Sequence, residues 1–214
     1  MIFDSLQVWS DKEARTGPEN MAVDEWLLES VGEFPILRIY DWAGDWVSLG
    51  YFQSLKVAQE IFGEEPEFVR RWTGGGIVDH RVDVTYTLVM PREHPLARGR
   101  GCESYKAIHG AVADCLKKGG MSCELAACDS SGDSAACFEK PVAWDLLGAE
   151  GQKIAGAGQR RSRVGTMHQG SVIAPKGALD DLPQVMAEEL EVVKLSPQVS
   201  SDRYEAEAWL RRVL

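Results

Sequence analysis

No apolar run in this chain reaches the roughly 18 residues that a membrane-spanning helix requires. The opening residues Met1-Ile2-Phe3-Asp4-Ser5 lack the basic and apolar regions of a secretory signal, so a cytoplasmic, membrane-free protein is expected. Cysteines are few and poorly spaced for pairing. The five present (Cys102, Cys115, Cys123, Cys128 and Cys137) include no C-x-x-C spacing. An odd count rules out a complete disulfide framework, and zinc-ligand spacing is absent, so no metal site is expected. Positive charge is the scarcer sign, with 23 Lys and Arg against 33 Asp and Glu and a formal net charge of −10. Such a chain repels a phosphate polymer, which argues against nucleic-acid binding. Internal repeats and low-complexity tracts are also missing.

What remains is enough for one sizeable domain, 1–214, with 44% hydrophobic residues in 214. Its few cations are gathered in two places, Arg70 with Arg71 and Arg160 with Arg161 and Arg163. The first pair opens the segment Arg70-Arg71-Trp72-Thr73-Gly74-Gly75-Gly76-Ile77-Val78-Asp79-His80. Glycine lets a ligand approach the backbone closely, and the arginines supply fixed positive charge for a carboxylate or phosphate. The plain alternative is a tight turn between solvated strand ends. A second polar cluster follows in Lys153-Ile154-Ala155-Gly156-Ala157-Gly158-Gln159-Arg160-Arg161 and His168-Gln169-Gly170-Ser171.

The pattern of elements points to α+β. Asn20 is read as N-cap of a helix over 21–31, with Gly32 as stop. Residues 35–42 and 46–51 read as strands joined through Ala43-Gly44-Asp45, a hairpin signal. Strands are expected over 67–72, 83–90, 142–147, 152–157 and 166–174. The clearest helix is 103–118, and another is expected over 179–191. Residues 128–136 read as a connection. Strands in runs, with helices between the groups, imply a mixed, largely antiparallel sheet with flanking helices.

Six ordered blocks over roughly 17–175 resemble the lipoate/biotin–protein ligase catalytic domain family, which includes octanoyltransferases. They are Asn20-Met21-Ala22-Val23-Asp24-Glu25, Leu37-Arg38-Ile39-Tyr40-Asp41-Trp42, Ser48-Leu49-Gly50-Tyr51-Phe52-Gln53, the glycine segment with His80, the Lys153 block, and His168-Gln169-Gly170-Ser171. Together they are specific, though each alone is weak. The resemblance implies a groove for a medium-length acyl chain, with the glycine loop and Lys153 at its carboxyl end. It also implies an acceptor lysine on a lipoyl domain of a 2-oxoacid dehydrogenase or a glycine-cleavage H protein.

Two chemistries occur in that family. A ligase activates lipoate or octanoate with ATP and Mg. A transferase needs no such cofactor and takes octanoyl from acyl carrier protein onto a cysteine. Cys137-Phe138 ahead of Pro141-Val142-Ala143-Trp144-Asp145-Leu146 resembles the cysteine-dependent octanoyltransferase branch. A thiolate is a strong nucleophile near neutral pH, and a nearby cation favours it; the alternative is a small buried hydrophobe. Lys153 is either an exposed residue after a turn or an ammonium that stabilises charge on the acyl carbonyl.

By the same resemblance, Arg70, Arg71, Thr73, Gly74, Gly75, Gly76, His80, Gly156, His168 and Gly170 are the expected substrate-binding residues. Asp145 either orients Lys153 or ends a strand. The acyl groove is expected near Tyr51, Tyr86 and Val89, with Trp72 narrowing it or stacking on the tail or an adenine. His94 and His109 read as loop and helix-surface residues. The last 40 or so residues are too few for a full accessory domain, which weighs against a self-sufficient ligase. A non-catalytic acyl- or biotin-binding module is the alternative from another class.

Overall fold

In the computed structural model, which describes residues 1–127 and 142–212, eighteen elements follow one another along the chain. They are β1 (Phe3–Arg15), α1 (Gly17–Glu29), β2 (Ile36–Trp42), β3 (Trp46–Leu49), α2 (Leu55–Phe62), β4 (Glu67–Arg70), β5 (Ile77–Asp79), β6 (Val84–Pro91), α3 (Pro95–Arg98), α4 (Gly101–Lys118), β7 (Cys123–Leu125), β8 (Leu146–Gly148), β9 (Lys153–Arg161), β10 (Gly165–Val172), α5 (Leu182–Met186), β11 (Ala187–Val192), α6 (Asp202–Glu205) and α7 (Glu207–Leu210). Eight strands form one sheet in the order β11-β1-β2-β6-β10-β9-β8-β7, and β4-β3-β5 form a second. In the large sheet, among the described residues, only the β11–β1 and β1–β2 pairings are parallel. The sheet is therefore mixed and largely antiparallel, as its strand grouping implies.

Each face of the large sheet is sealed by apolar side chains. On one face, Ile108, Val112, Cys115 and Leu116 of α4 pack on Leu37, Tyr86, Leu88, Ile154 and Val172. On the other, Val23, Leu27 and Leu28 of α1 pack on Trp9, Ile36, Val89 and Met167. The small sheet rests on the same side as α1, through Met21, Ala22, Trp46 and Val69 with Tyr204 and Trp209 of the C-terminal turns. Strand β6 is almost wholly buried because it lies mid-sheet with both faces covered. Among the described residues no helix is long and apolar enough to cross a membrane.

Several elements differ from the sequence reading. Helix α1 starts at Gly17, because the Glu19 carboxylate accepts from both the N–H and the hydroxyl of Thr16, each at 2.8 Å. Asn20 lies inside that helix, buried. Strands β2 and β3 are not a hairpin: β2 pairs with β1 and β6, whereas β3 pairs with β4 and β5. The turn at Gly44, with φ of 98°, carries the chain from one sheet to the other. The helix expected over 179–191 is a single turn followed by β11, which runs parallel to β1 with Leu6 opposite Leu190. Its Glu188, Glu189 and Glu191 suit an edge strand, where charge discourages further pairing. The strand expected over 142–147 is reduced to β8, since 142–145 form a turn.

Candidate acyl-binding groove and its cationic end

Strand β9 decides where the site can lie. Its register places Gly156 opposite Ser171 and Gly158 opposite Gln169, so two neighbouring positions on the α1 side of the sheet carry no side chain. The space they leave is a narrow groove between the two sheets. Met21 closes it from α1. Tyr40, Trp42, Thr85, Gln169, Gly170 and Ser171 line it from the large sheet, and Arg71, Val78 and His80 from the small one. Apolar walls with a few polar groups suit an alkyl chain bearing one polar end.

The glycine segment forms the roof. Gly75 adopts φ of 95°, and a Cβ on Gly158 would lie 2.4 Å from the Gly74 carbonyl oxygen, so loop and strand meet only because that position is glycine. Arg71 is buried and donates to the carbonyls of Gly74 (3.3 Å) and Gly76 (2.9 Å) and to the Ser48 hydroxyl (2.5 Å). Thr73 donates to Gln169 Oε1 at 2.6 Å. Gln169 in turn donates to Asp24 at 2.7 Å, which accepts from Arg38, Tyr40 and Thr87 as well. Arg38, fully buried, also donates to Asp11 and to the Asn20 side chain. Burial and the Asp24 charge hold the Tyr40 phenol well above its ordinary pKa, so it acts as a neutral donor.

A second network braces the His80 wall. The ring stacks on Trp42, centroids 4.0 Å apart, with Nδ1 2.8 Å from Asp83 and Nε2 2.6 Å from the Ser48 hydroxyl. Asp83 also accepts from Ser171 at 2.5 Å and from Thr85 at 3.3 Å, and Thr85 accepts from Trp42 at 2.9 Å. The ring thus bridges the Asp83 carboxylate and the Ser48 hydroxyl. This spacing is that of a nucleophile–base–acid relay. Ser48, however, is fully enclosed and its oxygen already accepts from Arg71, so the trio serves as a wall.

Lys153 lies beside Gly156, which lines the groove. Its ammonium is 2.7 Å from Asp145 Oδ2, and both side chains are buried. A Cβ on Gly156 would stand 2.8 Å from Nζ. Asp145 is further held by Tyr105, whose hydroxyl donates to Oδ1 at 2.5 Å, and by the Val142 N–H at 2.8 Å. The reading of Lys153 as an exposed post-turn residue is therefore set aside, and Asp145 orients it.

Other expected site residues lie elsewhere. Arg70 is fully buried and donates to the carbonyls of Gly50, Tyr51, Gln53, Trp209 and Leu210, so it ties the C-terminal turn to the loop after β3 and is not part of the groove lining. Burial and the nearby Arg212 charge lower its pKa. His168 points to the α4 side of the sheet, 3.2 Å from Tyr86 and 3.1 Å from Gln159, and burial drives its pKa well down. Gly170 lines the groove, but its missing side chain is filled from the far side by Tyr86, whose ring would meet a Cβ at 2.2 Å. Tyr86 and Val89 sit in opposite cores rather than in the groove, and Tyr51 packs against Trp209. Trp72 lies under the guanidiniums of Arg160 (4.4 Å) and Arg203 (5.2 Å), away from the groove lining. Arg161 holds the α3–α4 turn through Ala97 and Gly99.

His109 is buried, not on a helix surface. Cys115 and Cys123 are buried thiols with raised pKa, Cys115 at about 11, and so are poor nucleophiles. Cys137, the expected acyl carrier, lies outside the described residues, as does Cys128.

Sequence reasoning gave no individual role to Asp24, Arg38 and Ser48, which lie in the matching blocks, and missed Asp83 and Tyr105. A charge at 24 and at 38, each inside an apolar run, was the available signal, since a buried charge requires partners.

The lipoyl protein ligase A/B catalytic domain model matches residues 16–198. Octanoyltransferase LipM of Carboxydothermus hydrogenoformans is 38% identical over 74% of this chain and 61% of its own length. The Brevibacillus brevis octanoyltransferase LipM is 36% identical over 75% of this chain and 63% of its own. The chain thus spans about three fifths of the length of these relatives. Among solved structures, a putative lipoate protein ligase from T. acidophilum superposes with a TM-score of 0.70 at 18% identity, covering 99% of both chains. Lipoate-protein ligase A bound with ATP gives 0.68 at 17%, covering 100% of both. These two share the fold. With the family model matched over most of its length, the chain belongs to the lipoyl protein ligase A/B catalytic domain family.

Proposed function

We propose that this protein is an enzyme that transfers an octanoyl or lipoyl group to the lysine of a lipoyl domain, with Cys137 carrying the acyl group as a thioester. The Cys137 thiolate attacks the thioester carbonyl of an acyl carrier protein, and the carrier thiol leaves with a proton. The neutral amine of the acceptor lysine then attacks the enzyme thioester. Cys137 thiolate departs, the amine loses a proton, and an amide remains. Lys153 donates to the carbonyl oxygen as charge develops there, in both halves of the reaction.

The observation that most supports this reading is the buried Lys153–Asp145 pair abutting Gly156, a residue that lines the groove. Similarity to octanoyltransferases at 36–38% identity supports a transferase over a ligase. The acceptor is a 2-oxoacid dehydrogenase lipoyl domain or a glycine-cleavage H protein. The transfer uses neither ATP nor Mg, whereas a ligase acting on free lipoate or octanoate requires both.

The test is incubation with octanoyl-acyl carrier protein followed by intact-mass measurement. An octanoyl adduct that forms on the wild-type chain, moves to a lipoyl domain and is absent in Cys137→Ala supports the proposal. Lipoate-dependent pyrophosphate release that persists in Cys137→Ala makes the protein a ligase. Octanoate binding without modification of any lipoyl domain leaves only a binding module.

A further inference from the structure

Lys153 is held by Asp145, and Asp145 belongs to a turn with an unfavourable backbone. Trp144, the residue before it, has φ of 72°, a region that a large L side chain rarely adopts. Something must hold that turn against its own preference. Backbone bonds contribute: Trp144 N–H donates to Ala126 at 3.0 Å, and Ala126 N–H donates back to Asp145 at 2.8 Å.

The rest comes from α4. Tyr105 and His109 are four residues apart and so lie on one face of that helix. The Tyr105 hydroxyl accepts from the Ala157 N–H at 2.9 Å while donating to Asp145, which links strand β9 to the turn. His109 Nδ1 is 2.7 Å from the Trp144 carbonyl oxygen and therefore carries the proton it donates. The other ring nitrogen, Nε2, is buried without a hydrogen-bond partner among the described residues. A buried imidazole with one bond is costly unless that bond matters. Here it goes to the strained residue beside Asp145.

We propose that Tyr105 and His109 are positioning residues for Lys153, clamping the 142–145 turn from α4 so that Asp145 meets the ammonium beside Gly156. This rests on Lys153 being the group that polarises the acyl carbonyl. Neither α4 residue lines the groove, and both act through Asp145.

The experiment compares Tyr105→Phe, His109→Asn and His109→Leu. Asparagine can keep a donor near the Nδ1 position, and leucine cannot. Two measurements are made on each full chain: the acetylation rate of Lys153 by acetic anhydride, resolved by peptide mass, and kcat and KM for octanoyl transfer.

Tyr105→Phe and His109→Leu are expected to raise the acetylation rate about tenfold and to lower kcat by a similar factor, with KM nearly unchanged. His109→Asn should stay near wild type in both. If His109→Asn behaves as His109→Leu does, the imidazole is only packing and the clamp is wrong. Unchanged acetylation in both disruptive variants also overturns it. Should Tyr105→Phe fail to fold, the two His109 variants decide. Acetylation that responds as expected across the variants, with no octanoyl transfer by the wild-type chain, keeps the clamp and rejects the functional reading.

Discussion

Lys153 Nζ and Asp145 Oδ2 are 2.7 Å apart, with 2% and 0% of their side chains exposed. Two ions removed from water this completely are held by mutual attraction and by the extra bonds that Asp145 accepts from Tyr105 and Val142. Asp145 spends both oxygens on partners, and its buried neighbour Gly156 adds no bulk around the ammonium. The pair reads as a prepared site rather than a source of stability, since buried ion pairs often contribute little net.

Removing one member of the pair should expose that preparation. Lys153→Met leaves a buried carboxylate without its counter-ion and should destabilise the fold by about 3–5 kcal/mol. Lys153→Met combined with Asp145→Leu should recover part of that loss, because neither charge remains. Acyl transfer should fall at least tenfold in both variants. Urea denaturation with a transfer assay checks this, and a double variant no more stable than Lys153→Met alone would show that the two residues are not coupled.

Gly156→Ala isolates geometry from charge. The added methyl would stand 2.7 Å from Lys153 Cε and 2.8 Å from Nζ, so the flexible end of the lysine must move. Shifting a polarising group by about 1 Å can cost on the order of a hundredfold in rate. We expect kcat for octanoyl transfer to drop by ten- to a hundredfold while the thermal midpoint changes by only a few degrees. Wild-type kcat in this variant would place the ammonium outside the reaction.

Much of this arrangement was legible in the residues before any coordinates, and the remainder for identifiable reasons was not. The glycine segment, the Lys153 strand and α4 have strong local signatures, and each falls where its pattern puts it. Arg70 and Arg71 are adjacent cations of identical local appearance. They separate only because strand alternation turns one toward the C-terminal carbonyls and the other toward the groove. His168 was misplaced for the same reason, one residue of pleat deciding between the α4 core and the groove. The β2–β3 hairpin and the 179–191 helix failed because sheet membership is a long-range property. Leu182, Val185, Met186 and Leu190 fit a helical stripe, yet pairing with β1 wins over local period.

Arg70 should prove a structural cation. Its five carbonyl partners span residues 50–53 and 209–210, and an ammonium with three donors cannot satisfy them all. Arg70→Lys is therefore expected to destabilise the fold by about 3 kcal/mol through unsatisfied buried carbonyls. The KM for acyl donor should remain within twofold of wild type at a temperature where the variant is folded. A large rise in KM with unchanged stability would return Arg70 to the ligand.

Acid should weaken the fold through its buried histidines before most carboxylates protonate. Burial lowers the His109 imidazole from an ordinary 6.5 to about 4, despite the opposing Asp145 charge and the Trp144 carbonyl. Burial and the neighbouring His109 drive His168 well below 6.5. Both rings therefore stay neutral in the folded chain while the unfolded chain takes up protons below pH 6.5. The unfolded state binds more protons, so stability falls as pH drops from 6.5 toward 4, by up to about 1.4 kcal/mol per pH unit for each ring. Below pH 4 the His109 contribution is exhausted. Urea midpoints measured between pH 7.5 and 4.5 should show this slope, and His168→Gln, which cannot titrate, should reduce it by about half. A slope identical in His168→Gln and wild type would mean that the ring is already charged, or solvated, in the folded protein.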